Sequence, residues 1–177
     1  MVYILMESSI LLRSIHAHVT MDKKKVMLVG TNGFIYNYRR SPNGAVEVTL
    51  KNKDIYDKLV NYRQKLEEND EVIIATDHDQ AGELIALELL SIFPNAKRYK
   101  NRVDDLLYEP ELVVDTIVRN SGNQYFCKEM AMSYLEEKLS GASNRSARMK
   151  ILEYVLAHDN NGTIIVPPRY GEIIKAL

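Results

Sequence analysis

Short apolar runs alternate with stretches of helical periodicity through the first part of the chain. The runs at 2–6, 26–29 and 72–76 predict strands, because they are short, mostly apolar and partly β-branched. Apolar residues at helical spacing predict helices over 52–69 and 84–93. This alternation predicts an α/β fold, in which a mostly parallel sheet carries helices on both faces.

Smaller elements are predicted between these. Ser8 and Ser9 can cap a helix that follows the first strand. A hairpin is predicted over 34–50, since Ser-Pro-Asn-Gly at 41–44 supplies the fixed and positive φ angles of a tight turn. A further short strand is predicted at 96–99.

The strand signal gives way to helical periodicity after Pro110. Three helices and a last short strand are predicted there, over 111–119, 125–139, 144–158 and 163–166. We therefore expect one domain at 1–110 and a mainly helical extension at 111–177, with its packing on the first domain left open.

Length, charge and cysteine content narrow the class of protein. The 177 residues fit one core with an appendage, and the net charge of −1 does not mark a general nucleic-acid binder. A single cysteine, Cys127, fits a reducing compartment. Without a long apolar run or the basic lead of a signal peptide, we expect a cytoplasmic protein with no membrane contact.

Basic residues nevertheless cluster locally. Such clusters are more often solvated surface than phosphate contacts. They lie at Lys23-Lys24-Lys25, at Arg39-Arg40, at Lys97-Arg98 with Lys100 and Arg102, and at Arg145 with Arg148 and Lys150.

Acidic residues follow two of the predicted strands. Asp77 and Asp79 come directly after the run at 72–76, and Glu7 follows the run at 2–6. The carboxyl ends of parallel strands meet at one edge of a sheet, where open α/β folds bind ligands. Three carboxylates there suit Mg²⁺, with Mn²⁺ as an alternative, and hence phosphodiester chemistry. A simpler interpretation is that one aspartate only caps the following helix.

These residues carry a resemblance to a known family. The segment 75–86, Ala-Thr-Asp-His-Asp-Gln-Ala-Gly-Glu-Leu-Ile-Ala, resembles the A-T-D-x-D-x-E-G-E-x-I-A segment of type IA DNA topoisomerases. The start at 6–15 is similar to their V-E-S-P-x-K-A-x-x-I segment. Together these motifs are typical of the Toprim domain, which bacterial primases and several nucleases share. The resemblance covers roughly residues 1–110 and implies a Rossmann-like Toprim fold.

The resemblance also implies roles for particular residues. Glu7, Asp77 and Asp79 would be the catalytic and metal-binding acids. A weaker similarity of 140–145 to the S-x-G-R-V-Q segment of topoisomerases implies that Arg145 contacts nucleic acid, with Arg148 and Lys150 beside it. DNA is favoured over RNA as the partner.

Two departures from the topoisomerase pattern bear on the mechanism. Ala81 stands where topoisomerases place a further acid, an arrangement that is similar to primase-type Toprim domains. The Tyr-x-Arg-Thr context of the cleaving tyrosine is absent from the 177 residues, so strand passage is not expected of this chain alone, and a partner chain that supplies further domains is left open.

We therefore expect a Mg²⁺-dependent Toprim protein that acts on or binds nucleic-acid phosphodiesters, built like the amino-terminal part of a type IA topoisomerase. Two alternatives stay open. One is a non-catalytic Toprim module that binds DNA or a partner. The other is a small Toprim ribonuclease of the ribosomal-RNA maturation type.

Overall fold

The computed structural model describes residues 1–7, 13, 26–40, 46–103, 113–138 and 164–166. The strands in these segments are β1 Val2–Met6, β2 Val26–Gly30, β3 Tyr36–Arg40, β4 Val46–Leu50, β5 Glu71–Ala75, β6 Lys97–Tyr99, β7 Ser121–Gly122 and β8 Ile164–Val166. The helices are α1 Lys53–Gln64, α2 Gln80–Ile92, α3 Val113–Arg119 and α4 Lys128–Lys138, with a 3₁₀ turn at Asn123–Tyr125.

The main sheet has the strand order β2-β1-β5-β6-β7. Its first four strands are parallel, and β7 pairs antiparallel with β6 at the edge. The predicted α/β fold with a mostly parallel sheet is therefore confirmed. In the central pair Met6 lies opposite Ala75, so the residues that follow β1 and β5 emerge side by side.

Helices cover one face of this sheet with a large apolar core. Leu5 and Ile74 point to this face and are fully buried. They share the core with Leu59 of α1, Leu87 of α2 and Leu135 of α4. Helix α4 also packs along α2, so part of the predicted extension contacts the first segment directly.

The opposite face of the sheet has a smaller core. Ile4, Ile73 and Tyr99 are fully buried there and pack with Val114 and Ile117 of α3. Successive residues of β1 and β5 thus serve different cores, as expected of strands that are buried on both faces.

A second, antiparallel sheet joins the predicted hairpin to the predicted last strand. Its strand order is β3-β4-β8. Tyr36 pairs with Leu50 across the hairpin, and Val46 pairs with Val166 of β8. The predicted strands of the hairpin and the predicted last strand are confirmed. The short strand β7 was not predicted from the sequence.

Two helix boundaries differ from the predicted ones by four or more residues. Helix α1 ends at Gln64, because Lys65 turns back to donate to the carbonyl of Tyr62 and the Asp70 carboxylate then accepts the Glu67 N–H at 3.0 Å. Helix α2 begins earlier than predicted, at Gln80, since Asp79 caps it.

Several predicted features lie outside the described residues. These are the helix after Ser8 and Ser9, the turn at 41–44, the helix at 144–158 and the boundary near residue 110, which stays a prediction. Within the described segments, no helix combines the length and apolar character that a membrane span requires.

A buried carboxylate joins α2 to the second sheet. Glu88 is fully buried and accepts hydrogen bonds from the Ile35 N–H and the Tyr38 hydroxyl, both at 2.7 Å. Burial raises the pKa of Glu88 to about 8, although these bonds and the charge of Lys51 oppose the change. The neutral acid is therefore the form that the folded protein favours below that pH.

We expect Glu88→Gln to reduce the pH dependence of stability. In the unfolded chain Glu88 ionises near its ordinary pKa of 4.5, whereas in the fold its pKa is about 8. The wild-type free energy of unfolding should therefore fall between those pH values, by at most about 5 kcal/mol from this residue. Urea titrations from about pH 5 to about pH 9 measure the fall.

The matched control is Glu68→Gln, which removes an exposed carboxylate. Its unfolding free energy should follow the wild-type pH profile. A Glu88→Gln profile that also runs parallel to wild type would contradict the assigned pKa of Glu88.

Candidate metal centre

Three carboxylates lie at one edge of the main sheet. Glu7 directly follows β1, and Asp77 and Asp79 follow the neighbouring strand β5. The Asn32 N–H donates to the Glu7 carbonyl at 3.0 Å, which fixes the backbone there. Burial, and then the charges of Asp77 and Asp79, raise the pKa of Glu7. The three acids therefore share one electrostatic environment.

A small cleft opens beside the aspartates. It has a volume of about 260 Å³ and is lined by Asp77, His78, Asp79, Arg102 and Val103. Asp77, Asp79 and Arg102 are exposed, whereas Val103 is buried. Both acids are thus accessible from solvent, next to a cationic side chain.

Asp79 also caps helix α2. Its Oδ1 accepts the Gly82 N–H at 2.7 Å, so the simpler capping interpretation holds for this residue. A carboxylate has two oxygens with several lone pairs, and a capping bond at one oxygen does not prevent metal binding by the other. Asp79 can serve both purposes.

Gly82 allows the helix start to approach the end of β5 closely. A Cβ atom at this position would lie 2.2 Å from the Asp77 carbonyl oxygen, a contact that no side chain tolerates. The Thr76 hydroxyl donates to the Gly82 carbonyl at 2.7 Å. The Gly of the sequence motif is therefore required by the close packing of the aspartate loop on the first turn of α2.

A buried arginine holds the backbone of the aspartate loop. The guanidinium of Arg98, on β6, donates to the carbonyl oxygens of Ile74, Thr76 and Asp77 at 3.1, 2.9 and 3.1 Å. Its Nη2 also lies 2.9 Å from Glu83 Oε1. Burial lowers the pKa of Arg98, and the charge of Glu83 opposes this. The expectation of a solvated basic cluster at 97–102 is wrong for Arg98, which is 0% exposed.

Glu83 connects this arginine to other parts of the site. His78 Nδ1 lies 3.5 Å from Glu83 Oε1, and His78 Nε2 lies 2.9 Å from the Tyr99 carbonyl oxygen. His78 therefore contacts β6 and α2. The Cys127 N–H donates to Glu83 Oε2 at 3.1 Å, which ties the segment before α4 to the same carboxylate.

The acids suit a loosely held hard cation. In the segments that the structure describes, no three acidic, histidine or cysteine side chains gather tightly enough to enclose a metal ion by themselves. Mg²⁺ does not need such an enclosure, because it keeps several waters and binds through one or two carboxylates. Glu7, Asp77 and Asp79 offer oxygen ligands of this kind, and their role as metal ligands stays a prediction.

Three further site residues, for nucleic-acid binding, are predicted from the sequence. Arg145, Arg148 and Lys150 lie outside the described residues. The sequence reasoning missed the scaffold pair Arg98 and Glu83. Glu83 did offer a signal, because it is a charged residue in a helix that is apolar on most sides. A charge in such a position indicates that a buried partner is nearby.

We expect Arg98→Met to destabilise the fold by about 3 to 5 kcal/mol, because it leaves the Glu83 carboxylate buried without a cation. Adding Glu83→Gln to this variant should recover part of the loss. Urea unfolding followed by circular dichroism measures both values.

Lys97→Met provides the matched control on the same strand. Its ammonium group pairs with Glu71 at an exposed position, so the cost should stay below about 1 kcal/mol. Equal costs for Lys97→Met and Arg98→Met would show that the buried network is not what stabilises the loop.

Comparisons with known proteins agree with the observed α/β fold. The family model of the Toprim domain matches residues 2–104. Among solved structures, full-length topoisomerase I from Thermotoga maritima, in a monoclinic crystal form, matches with a TM-score of 0.56 at 17% sequence identity. That match covers 83% of this chain but only 24% of the topoisomerase, and at this identity it shows the fold alone. No curated protein matches the sequence. Because the family model spans more than half of its residues, the chain belongs to the Toprim domain family.

Proposed function

We propose that this chain is a Mg²⁺-dependent Toprim protein that binds nucleic acid and acts on its phosphodiester bonds. The observation that carries the proposal is the placement of Glu7, Asp77 and Asp79 at adjacent strand ends of a Toprim fold. Mn²⁺ is an alternative to Mg²⁺. The fold is like that of the amino-terminal part of a type IA topoisomerase, and the Tyr-x-Arg-Thr context is absent from the 177 residues.

Electrostatics support a cation at this edge. The raised pKa of Glu7 means that its charged form is disfavoured by burial and by the two aspartates. A divalent cation among the three groups would relieve this repulsion. Once bound, such a cation neutralises charge on a phosphate diester and stabilises the leaving oxygen.

The chain's own residues prepare the site. Backbone contacts from Arg98 and Gly82 fix the aspartate loop and leave both aspartate carboxylates exposed to a substrate. Further contacts to nucleic acid are proposed for Arg145, Arg148 and Lys150. DNA is the favoured substrate, and a partner chain that supplies further domains remains part of the proposal, as does a reducing, cytoplasmic setting.

We expect the double variant Asp77→Asn/Asp79→Asn to lose metal binding and cleavage while keeping its fold. Asparagine caps helices as well as aspartate does, so the α2 start should persist. The Mn²⁺ affinity, measured by calorimetry, should fall at least about tenfold, because ligand charge sets the affinity for hard cations. Nicking of supercoiled plasmid and cleavage of single-stranded DNA in Mg²⁺ should disappear.

The control is Asp57→Asn, which removes one exposed carboxylate from α1. It should bind metal and nick DNA as wild type does. Equal nicking by wild type and the double variant would show that these aspartates are not responsible. A structured RNA assayed in parallel distinguishes a DNA enzyme from a ribonuclease, since preferential RNA cleavage favours the latter.

A second candidate is a non-catalytic module that binds DNA or a partner. Ala81 favours it, because a carboxylate that topoisomerases carry is missing from the first turn of α2. Salt-sensitive DNA binding that survives the double substitution, without cleavage in any metal, would favour this candidate.

We expect Ala81→Glu to increase the affinity for Mn²⁺ by about 3- to 10-fold, since a further carboxylate would join the acids at a helix start that tolerates negative charge. Ala81→Gln is the control, because it has nearly the same size without the charge. Calorimetry compares the two variants with wild type. Identical affinities in all three would place residue 81 away from the cation.

A further inference from the structure

Arg102 lies in the same cleft as the acidic pair. With Asp77, His78, Asp79 and Val103 it lines the volume of about 260 Å³ at the sheet edge. Its side chain is exposed. Among the described residues that line the cleft, Arg102 is the cationic one, so a molecule that approaches the aspartates here comes into contact with it.

The backbone on both sides of Arg102 is fixed. The Lys100 N–H donates to the Asn120 carbonyl at 2.9 Å, which continues the pairing of β6 with the β7 strand. Val103 is 1% exposed and belongs to the smaller core. Arg102 thus projects from a short segment that is anchored before and after it, and this anchoring lowers the entropic cost of using it in binding.

The acids at this sheet edge carry more negative charge than one Mg²⁺ ion neutralises. Three carboxylates outweigh the charge of one Mg²⁺, so an incoming phosphate diester still meets net negative charge. An arginine beside the acids offsets this repulsion. Its planar guanidinium also donates two parallel hydrogen bonds to a phosphate, which a lysine does not.

We propose that Arg102 binds the two non-bridging oxygens of a phosphodiester in the nucleic-acid strand and thereby positions that phosphodiester beside Glu7, Asp77 and Asp79. This inference rests on the proposed function and adds a substrate-positioning residue to it. The nucleic-acid strand then passes over the end of β6, which the exposed Lys100 directly follows.

The experiment measures binding of a fluorescently labelled single-stranded DNA to the full chain in Mg²⁺, by anisotropy across a salt series, with strand integrity checked on gels. The variants are Arg102→Gln and Arg102→Lys. The matched control is Lys65→Gln, which removes one positive charge after the end of α1, on the side of the sheet where β5 begins. Thermal melts of each variant establish that the fold is kept.

Arg102→Gln should bind about 10- to 100-fold more weakly at low salt, the range for losing a hydrogen bond to a charged group. The slope of log affinity against log salt should become shallower by about 0.7, the contribution of one phosphate contact on a single strand. Arg102→Lys should keep the slope and recover only part of the affinity. Lys65→Gln should match wild type in both quantities.

Equal affinity and slope for Arg102→Gln and Lys65→Gln would overturn this inference. The proposed function would stand in that case, provided that wild type binds the strand and that Asp77→Asn/Asp79→Asn abolishes cleavage. A wild-type protein that binds no strand at any salt concentration would overturn both.

Discussion

The guanidinium of Arg98 is the group on which the geometry of the acidic edge depends. A charge removed from water is costly unless it is paired and its hydrogen bonds are satisfied. Arg98 meets this requirement with Glu83 and with carbonyl oxygens at the end of β5. The same hydrogen bonds fix the backbone from which Asp77 projects. They therefore stabilise the buried charge and position the acidic site at the same time.

Two buried carboxylates anchor helix α2, at two positions along its length. Glu83, in its first turn, pairs with Arg98 of the main sheet. Glu88, further along, accepts hydrogen bonds from Ile35, which directly precedes β3, and from Tyr38 in that strand of the second sheet. Because the two carboxylates lie on one rigid helix, the acidic edge and the second sheet hold a fixed relation to each other. A buried acid with a pKa of about 8 makes the second anchor sensitive to pH, whereas the first keeps its arginine partner.

The sequence predicted the features that depend on local pattern. Apolar runs marked β1 and β5, and the acids after them marked the sheet edge, because strand ends in a parallel sheet are brought together by topology alone. The early end of α1 at Gln64 depends on turn bonds that its apolar periodicity does not encode. The burial of Arg98 was not predicted, for a related reason. Next to Lys97 it belongs to a basic pair, and only the register of β6 against β5 places it inside.

The scaffold and the chemistry of this site use different atoms of the same short loop. Arg98 and Gly82 act on the backbone of Asp77, and Asp79 contributes one carboxylate oxygen to the helix start. Substitutions that keep these backbone contacts, such as asparagine for aspartate, change the charge of the proposed metal ligands without removing the cap. Substitutions at Gly82 or Arg98 instead displace the loop that presents the acids. A loss of the proposed activity would therefore point to the carboxylates in the first group of variants, and to the backbone that holds them in the second.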